Sequence, residues 1–139
     1  VLFDTAGSQV PWKSVLSSFV PAFTAEKAGT EFEDDFTSFL FYGANGVFPG
    51  FVARVKTGVN LDEIKTNLAA LESSDLSKFY LESPGAFKTW KNGQLNGKPT
   101  RYAQGATAGA SFNYILSGSS LVISTSFEGL KAVAPLLGL

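Results

Sequence analysis

The stretch ASFNYILSGSSLVISTSFEGLKAVA, residues 110–134, decides the fold. Residues 110–116 and 121–125 are rich in β-branched and aromatic residues and flank a tight Ser-Gly-Ser-Ser connection, which is typical of a β-hairpin. Thr125 and Glu128 then form a capping box for a closing helix. The apolar face of that helix consists of Phe127, Leu130, Val133 and Ala134. A hairpin followed by an amphipathic helix predicts an antiparallel sheet with a helix packed on one face.

Immediately upstream, two Asn-Gly pairs at residues 92–93 and 96–97 separate the segments 87–91 and 100–103. Asn-Gly is the strongest short-range hairpin signal, so these segments predict a second hairpin. Pro99 places it at an edge of the sheet, because proline cannot donate a ladder hydrogen bond.

Residues 60–72 predict a helix. Asn60 is its N-cap and Glu63, three residues on, completes a capping box. Its apolar stripe consists of Leu61, Ile64, Leu68 and Leu71. We expect this stripe to be buried against the sheet.

The first half of the chain predicts two helices and a further hairpin. A helix begins at Pro11, and a second helix from Thr24 gives way to a strand near Thr37. Residues 36–42 and 51–57 are the strands, joined by a loop over residues 43–50. The fold class is therefore α+β, an antiparallel sheet of about six strands with helices packed mainly on one face. Residues 1–139 form a single domain, and the start at Val1 favours a segment of a longer protein.

Composition excludes several classes of function. The 139 residues include 11 Lys and Arg against 12 Asp and Glu, a formal net charge of −1 that disfavours nucleic acid as a partner. The absence of Cys and His removes thiolate nucleophiles, Ser-His pairs and the common zinc ligands. We expect no enzymatic activity, no cofactor and no metal, although a pair of carboxylates for glycoside hydrolysis needs no fixed spacing.

Two local patterns have alternative interpretations. The acids Glu31, Glu33, Asp34 and Asp35 lack the spacing of a calcium loop and fit a solvated surface. Residues 43–50 contain three glycines, but their spacing matches neither G-x-G-x-x-G nor the Walker motif. We therefore do not expect a phosphate-binding loop there.

One basic and aromatic cluster is the candidate binding site. It consists of Lys88, Trp90, Lys91, Lys98, Arg101 and Tyr102. These side chains could stack on bases or sugars, or contact an anionic polymer. Alternatively, lysines and Pro99 protect an edge hairpin against strand addition while Trp90 packs inward, which is the interpretation we favour.

The chain also resembles a known family. The run from Leu121 to Ala132, the strand at 51–56 leading into the helix at 60–72, and residues 96–102 before the last hairpin are similar to a bacterial domain family of unknown function. The resemblance covers about residues 36–134. It implies an extracytoplasmic α+β module, membrane-tethered through a part of the protein outside this segment, and it transfers no catalytic residue.

The function expected from these observations is that of a non-enzymatic extracytoplasmic structural or interaction module. Its partners would be sister domains or other surface proteins. The alternative is a surface domain that binds carbohydrate or another polymer through the 87–103 hairpin.

Overall fold

The computed structural model describes residues 2–139 and contains one six-stranded antiparallel sheet with the strand order β1-β2-β6-β5-β4-β3. The strands are β1 (Phe32–Gly43), β2 (Gly46–Val55), β3 (Lys91–Leu95), β4 (Lys98–Gln104), β5 (Ser111–Ser117) and β6 (Ser120–Ser124). The helices are α1 (Trp12–Phe19), α2 (Ala25–Glu31), α3 (Leu61–Leu68) and α4 (Phe127–Val133), and the 3-10 helices are η1 (Ala69–Ser73), η2 (Leu76–Phe79) and η3 (Ala134–Leu137). The predicted α+β class is confirmed.

The C-terminal hairpin lies at the centre of the sheet. Strands β5 and β6 differ from their predicted bounds by one residue at each end, and Ser117 pairs with Ser120 across the turn. The closing helix is also present, but its cap was predicted wrongly. Ser126 Oγ accepts the Gly129 amide at 2.9 Å, whereas the Thr125 hydroxyl donates to the Pro49 carbonyl at 2.6 Å.

The N-terminal hairpin extends further toward its turn than predicted, and β1 also begins earlier, whereas β2 ends at Val55, two residues before the predicted end. Its turn is only Ala44-Asn45, because Gly43 pairs with Gly46, so most of the predicted loop belongs to β2. Gly50 is required within this strand, since a Cβ there would lie 2.0 Å from Phe39 Cζ. Pro49 is tolerated because it lies one residue beyond the last β2–β6 pair.

The boundary between α2 and β1 was also predicted wrongly. The strand begins at Phe32, directly after α2 and well before Thr37, because the chain pairs at once with Val55 of β2. The register shifts between Phe32 and Phe36, so that the intervening acids lie at a β-bulge and are exposed.

The central helix covers the sheet much as predicted. Ile64, Leu68 and Leu71 are fully buried in the main core, although the α-helix ends at Leu68 and continues as η1. Leu61 is the exception, at 37% exposed, because it occupies the first helical position beyond the edge of that core.

Two cores lie on opposite sides of the sheet. One face carries Phe51, Phe112 and Tyr114 and is covered by α1, α2, α3 and the first two 3-10 helices. We call it the helical face, because most of the helices lie on it. The opposite face carries Val52, Ile115 and Val122 under α4 and η3. Most helices therefore share one face, as predicted.

Candidate functional site

Strand β4 presents consecutive side chains of the predicted site to opposite faces of the sheet. Arg101 pairs with Tyr114 and Tyr102 pairs with Asn113, and directly opposed residues point to the same side. Arg101 therefore lies on the helical face, and Tyr102 lies on the opposite face. The predicted cluster is divided in two.

The four predicted cations are not brought together either. Lys91 pairs with Tyr102 on the opposite face, and Lys98 lies at the other end of the β3–β4 hairpin, paired with Leu95. Lys88 is exposed before β3, and its backbone amide donates to the Gln104 carbonyl at 2.8 Å. A concentrated basic patch is therefore not formed by these residues.

The hairpin itself differs from the predicted one. Its turn is Asn96-Gly97, where both residues have positive φ (51° and 78°), as a type I′ turn requires. Asn92-Gly93, the competing turn signal, lies within β3, and residues 87–90, predicted as strand, precede that strand. Phe87 makes only an isolated bridge to Gly105.

On the helical face, the polar groups around Arg101 form a closed cluster. The guanidinium holds Glu72 with two hydrogen bonds, from Nε to Oε1 at 2.8 Å and from Nη2 to Oε2 at 2.5 Å. The Tyr114 hydroxyl donates to Glu72 Oε1 at 2.8 Å, and Arg101 Nη1 donates to Asn92 Oδ1 at 2.9 Å. We call Glu72, Arg101, Tyr114 and Asn92 the Arg101 cluster.

Trp90 packs inward beside this cluster. Its ring contacts Phe112 and Tyr114 edge-on, with centroids 6.0 and 5.9 Å apart, and Arg101 Cζ lies 6.0 Å from its centroid. The ring is half-buried against the main core. Trp90 therefore packs inward, which is the position expected if the hairpin is an edge protected against strand addition.

The electrostatics of the Arg101 cluster favour a structural role. Hydrogen bonds from Arg101 hold the pKa of the Glu72 carboxyl below its usual range, and they outweigh the cost of its partial burial. Burial, followed by the hydrogen bond to Glu72, raises the pKa of Tyr114. Glu72 is therefore an ionised, fully engaged carboxylate, which makes it a poor general acid at neutral pH.

On the opposite face, the same strands border an open groove of about 560 Å³. Its polar and aromatic lining includes Gln94, Tyr102, Gln104, Asn113, Phe127 and Glu128, from β3, β4, β5 and α4. We call this space the β4–β5 groove. Its volume lies within the range of small-molecule sites, roughly 300–1,000 Å³.

Gly93 makes room for the Tyr102 ring in this groove. A Cβ at Gly93 would lie 3.1 Å from Cδ1 and Cε1 of Tyr102 and 2.8 Å from Thr100 Oγ1. The ring therefore occupies the space that a side chain at position 93 would fill. This explains a glycine in an edge strand, which the sequence suggested only as part of a turn.

Asn113 supplies a buried amide with a fixed orientation. Its side-chain nitrogen donates to the Ser111 carbonyl at 2.6 Å and to Ser111 Oγ at 2.9 Å, and a third contact joins it to the Ser124 carbonyl at 3.5 Å. Two carbonyl acceptors require the NH2 group on that side. Only 1% of the Asn113 surface is exposed, and no hydrogen bond within residues 2–139 reaches its Oδ1.

The charge of the groove is low. Glu128 is the one carboxylate in its lining, and it pairs with Lys131 at 2.7 Å. Lys131 Nζ also lies 5.3 Å from the centroid of the Phe127 ring. Two facing carboxylates, which glycoside hydrolysis needs, are not present among the residues that line this groove.

The acidic residues near the α2–β1 boundary are spread apart. Glu31 is 4% exposed and accepts a hydrogen bond from Asn67 Nδ2, while burial raises its pKa. Asp34 lies 3.4 Å from Lys13 Nζ, and Asp35 accepts from Gln9 Nε2 at 2.9 Å. Within residues 2–139, no three acidic side chains are arranged to hold a metal ion.

The two edges of the sheet are protected to very different degrees. Strand β3 is five residues long, and its turn is held by Asn96 Nδ2, which donates to the Leu139 carbonyl at 3.1 Å. Strand β1 has twelve residues, and residues 36–43 contain no charged side chain. Within the described chain, no backbone hydrogen bond outside the β1–β2 ladder involves residues 36–43.

Exposed apolar side chains accompany this unpaired edge. Leu40 is 50% exposed and Tyr42 is 74% exposed, and both alternate with half-buried Phe39 and Phe41. The two phenylalanines point to the face that α4 covers, where Phe41 Cβ would lie 3.1 Å from a Cβ at Gly129. The edge therefore combines free backbone groups with apolar surface.

None of the helices formed by residues 2–139 is both long and apolar enough to cross a membrane. Comparisons with protein-family models, with curated proteins and with solved structures find no match to this chain. The family resemblance drawn from the sequence therefore stays a prediction.

Proposed function

We propose that this protein is a non-enzymatic interaction module that associates with a sister module by pairing at the edge of β1. The proposal rests on the outer edge of β1. Residues 36–43 contain no charged side chain, and within the described chain their backbone makes no hydrogen bond outside the β1–β2 ladder. Proteins usually protect such edges with charge, proline or a covering segment, because an exposed edge is a template for another strand. An edge left free along eight residues is suited to strand addition.

Charge favours an antiparallel arrangement of two copies. The acids at residues 33–35 lie at the start of β1, and the exposed Leu40 and Tyr42 lie near its end. A two-fold axis through the middle of the strand places the acidic end of each copy beside the apolar end of the other. A parallel arrangement would place the acids of both copies together, which is unfavourable.

The extracytoplasmic location is part of the same proposal. It is supported by the family resemblance over about residues 36–134. Protease accessibility of the native protein on intact cells tests this location. Degradation only after lysis would contradict it.

Sedimentation equilibrium across the soluble concentration range tests the association. We expect the unmodified protein to dimerise and Leu40→Lys to remain monomeric, because a charge in the middle of the edge opposes pairing. Gln94→Lys is the matched control, since it adds the same charge at an exposed position on β3, the opposite edge of the sheet. A monomeric unmodified protein, or equal weakening by both substitutions, would refute pairing through β1.

A further inference from the structure

We propose that the β4–β5 groove binds a short stretch of a neutral polysaccharide. The groove lies at the β3 end of the sheet, and β1 lies at the other end, so this site is separate from the proposed association surface. A module could therefore contact a sister module and a glycan at the same time.

Asn113 offers its side-chain oxygen to a ligand in the groove. Its NH2 group is fully used by Ser111 and Ser124, and its Oδ1 is left without a partner among residues 2–139. Asn113 lines the groove, so its Oδ1 is an acceptor that a donor group of a ligand can reach there. A sugar hydroxyl is such a donor.

An uncharged amide and two aromatic rings lie beside Asn113 in the groove. Gln104 lines the groove with an exposed side chain that makes no hydrogen bond to residues 2–139. A primary amide both donates and accepts, and so does each sugar hydroxyl. Tyr102 and Phe127 add aromatic rings to the lining, which suit the apolar C–H faces of a pyranose.

The β4–β5 groove carries little charge. Among residues 2–139, no lysine or arginine lines the groove, and its single carboxylate, Glu128, is paired with Lys131. The nearest cations in the described chain are Lys131, which is paired with Glu128, and Lys91, which lies directly opposite Tyr102. These are too few to bind a polyanion by replacing its counterions. The groove favours uncharged sugars over sulfated or phosphorylated chains.

The register of the sheet brings these groups into one row. Tyr102 lies directly opposite Asn113, and Gln104 lies directly opposite Ser111. Adjacent strands are about 4.8 Å apart, so one sugar can contact the ring of Tyr102 and the amide of Asn113 together. Gly93 keeps Tyr102 in this position by leaving space beneath its ring.

Isothermal titration calorimetry with cellohexaose, chitohexaose and maltohexaose tests the proposal, with dextran sulfate as the charged comparison. The unmodified chain is compared with Tyr102→Ala, Gln104→Ala and the control Tyr42→Ala. Tyr42 is an exposed tyrosine on β1, outside the groove. Melting temperatures of all four proteins establish that each variant is folded.

We expect at least one neutral hexasaccharide to bind, and Tyr102→Ala to weaken it about tenfold while Tyr42→Ala leaves it unchanged. Gln104→Ala, which removes an exposed side chain, provides the same comparison if Tyr102→Ala does not fold. The proposal is overturned if none of the three hexasaccharides binds, if only dextran sulfate binds, or if groove and control substitutions have equal effects.

Discussion

Arg101 and Tyr102 are adjacent on β4, yet they belong to polar regions of opposite character. In the Arg101 cluster, every oxygen of Glu72 accepts a hydrogen bond, and Trp90 covers one side. In the β4–β5 groove, the amide oxygen of Asn113 has no partner within the described chain. Polarity alone therefore does not distinguish the two regions, whereas the share of polar groups that have hydrogen-bond partners within the described chain does.

The largest effect is expected for Trp90→Ala, which removes the ring that joins the Arg101 cluster to the core. We expect the free energy of unfolding in urea to fall by about 3 kcal/mol, because the ring packs on Phe112 and Tyr114. Trp90→Phe should retain more than half of that stability. A loss below about 0.5 kcal/mol for Trp90→Ala would show that this ring belongs to an exposed surface after all.

Glu72→Gln is expected to have the next largest effect, about 2 kcal/mol, because it removes the charge that satisfies Arg101. Glu128→Gln is the matched control. It breaks the exposed pair with Lys131 and should change stability by at most about 0.5 kcal/mol. Equal losses from both substitutions would remove the distinction between the two regions.

The stability of the protein should also depend on pH through Glu72. Its pKa is lower in the folded protein than in the unfolded chain, so its contribution is complete above the unfolded value of about 4.3 and is lost as the pH falls through the folded pKa. Urea titrations from about pH 6 to about pH 3 should therefore show a steeper loss for the unmodified protein than for Glu72→Gln. Parallel curves would contradict the lowered pKa.

A smaller effect than that of Trp90→Ala or Glu72→Gln is expected for Tyr102→Ala, at most about 1 kcal/mol, because the half-buried ring faces the groove and has no hydrogen bond to the described chain. Thermal unfolding beside Trp90→Ala measures the contrast directly. If the two variants lose similar stability, Tyr102 is part of the core, and the groove loses its principal aromatic contact.

Much of the fold follows from local patterns that tertiary structure does not override. The alternation in residues 110–125 predicts the central hairpin, and the stripe of Ile64, Leu68 and Leu71 predicts the buried side of α3. Asn92-Gly93 misled the prediction because Asn-Gly signals a turn, whereas here the glycine accommodates the ring of Tyr102. The α2–β1 boundary was missed because pairing with Val55 overrides the helical spacing of the phenylalanines.

The candidate site was only partly accessible from the sequence. Tyr102 was identified, but Trp90 and Arg101 were grouped with it because they are close along the chain. Their separation depends on strand register, which sequence spacing does not give once a segment such as residues 87–90 lies outside the strand. Asn113 and Phe127 come from β5 and α4, and only the strand order brings them beside β4.

The position of the C-terminal hairpin has a consequence for how the chain folds. Residues 50–54 of β2 pair with residues 120–124 of β6, so the two halves of the sheet join only after β6 has been synthesised. Until then, the inner edge of β2 is open as well as the outer edge of β1, and contacts of such long sequence separation form slowly. A nascent or truncated chain that ends before β6 therefore presents two unpaired strand edges and is prone to aggregation.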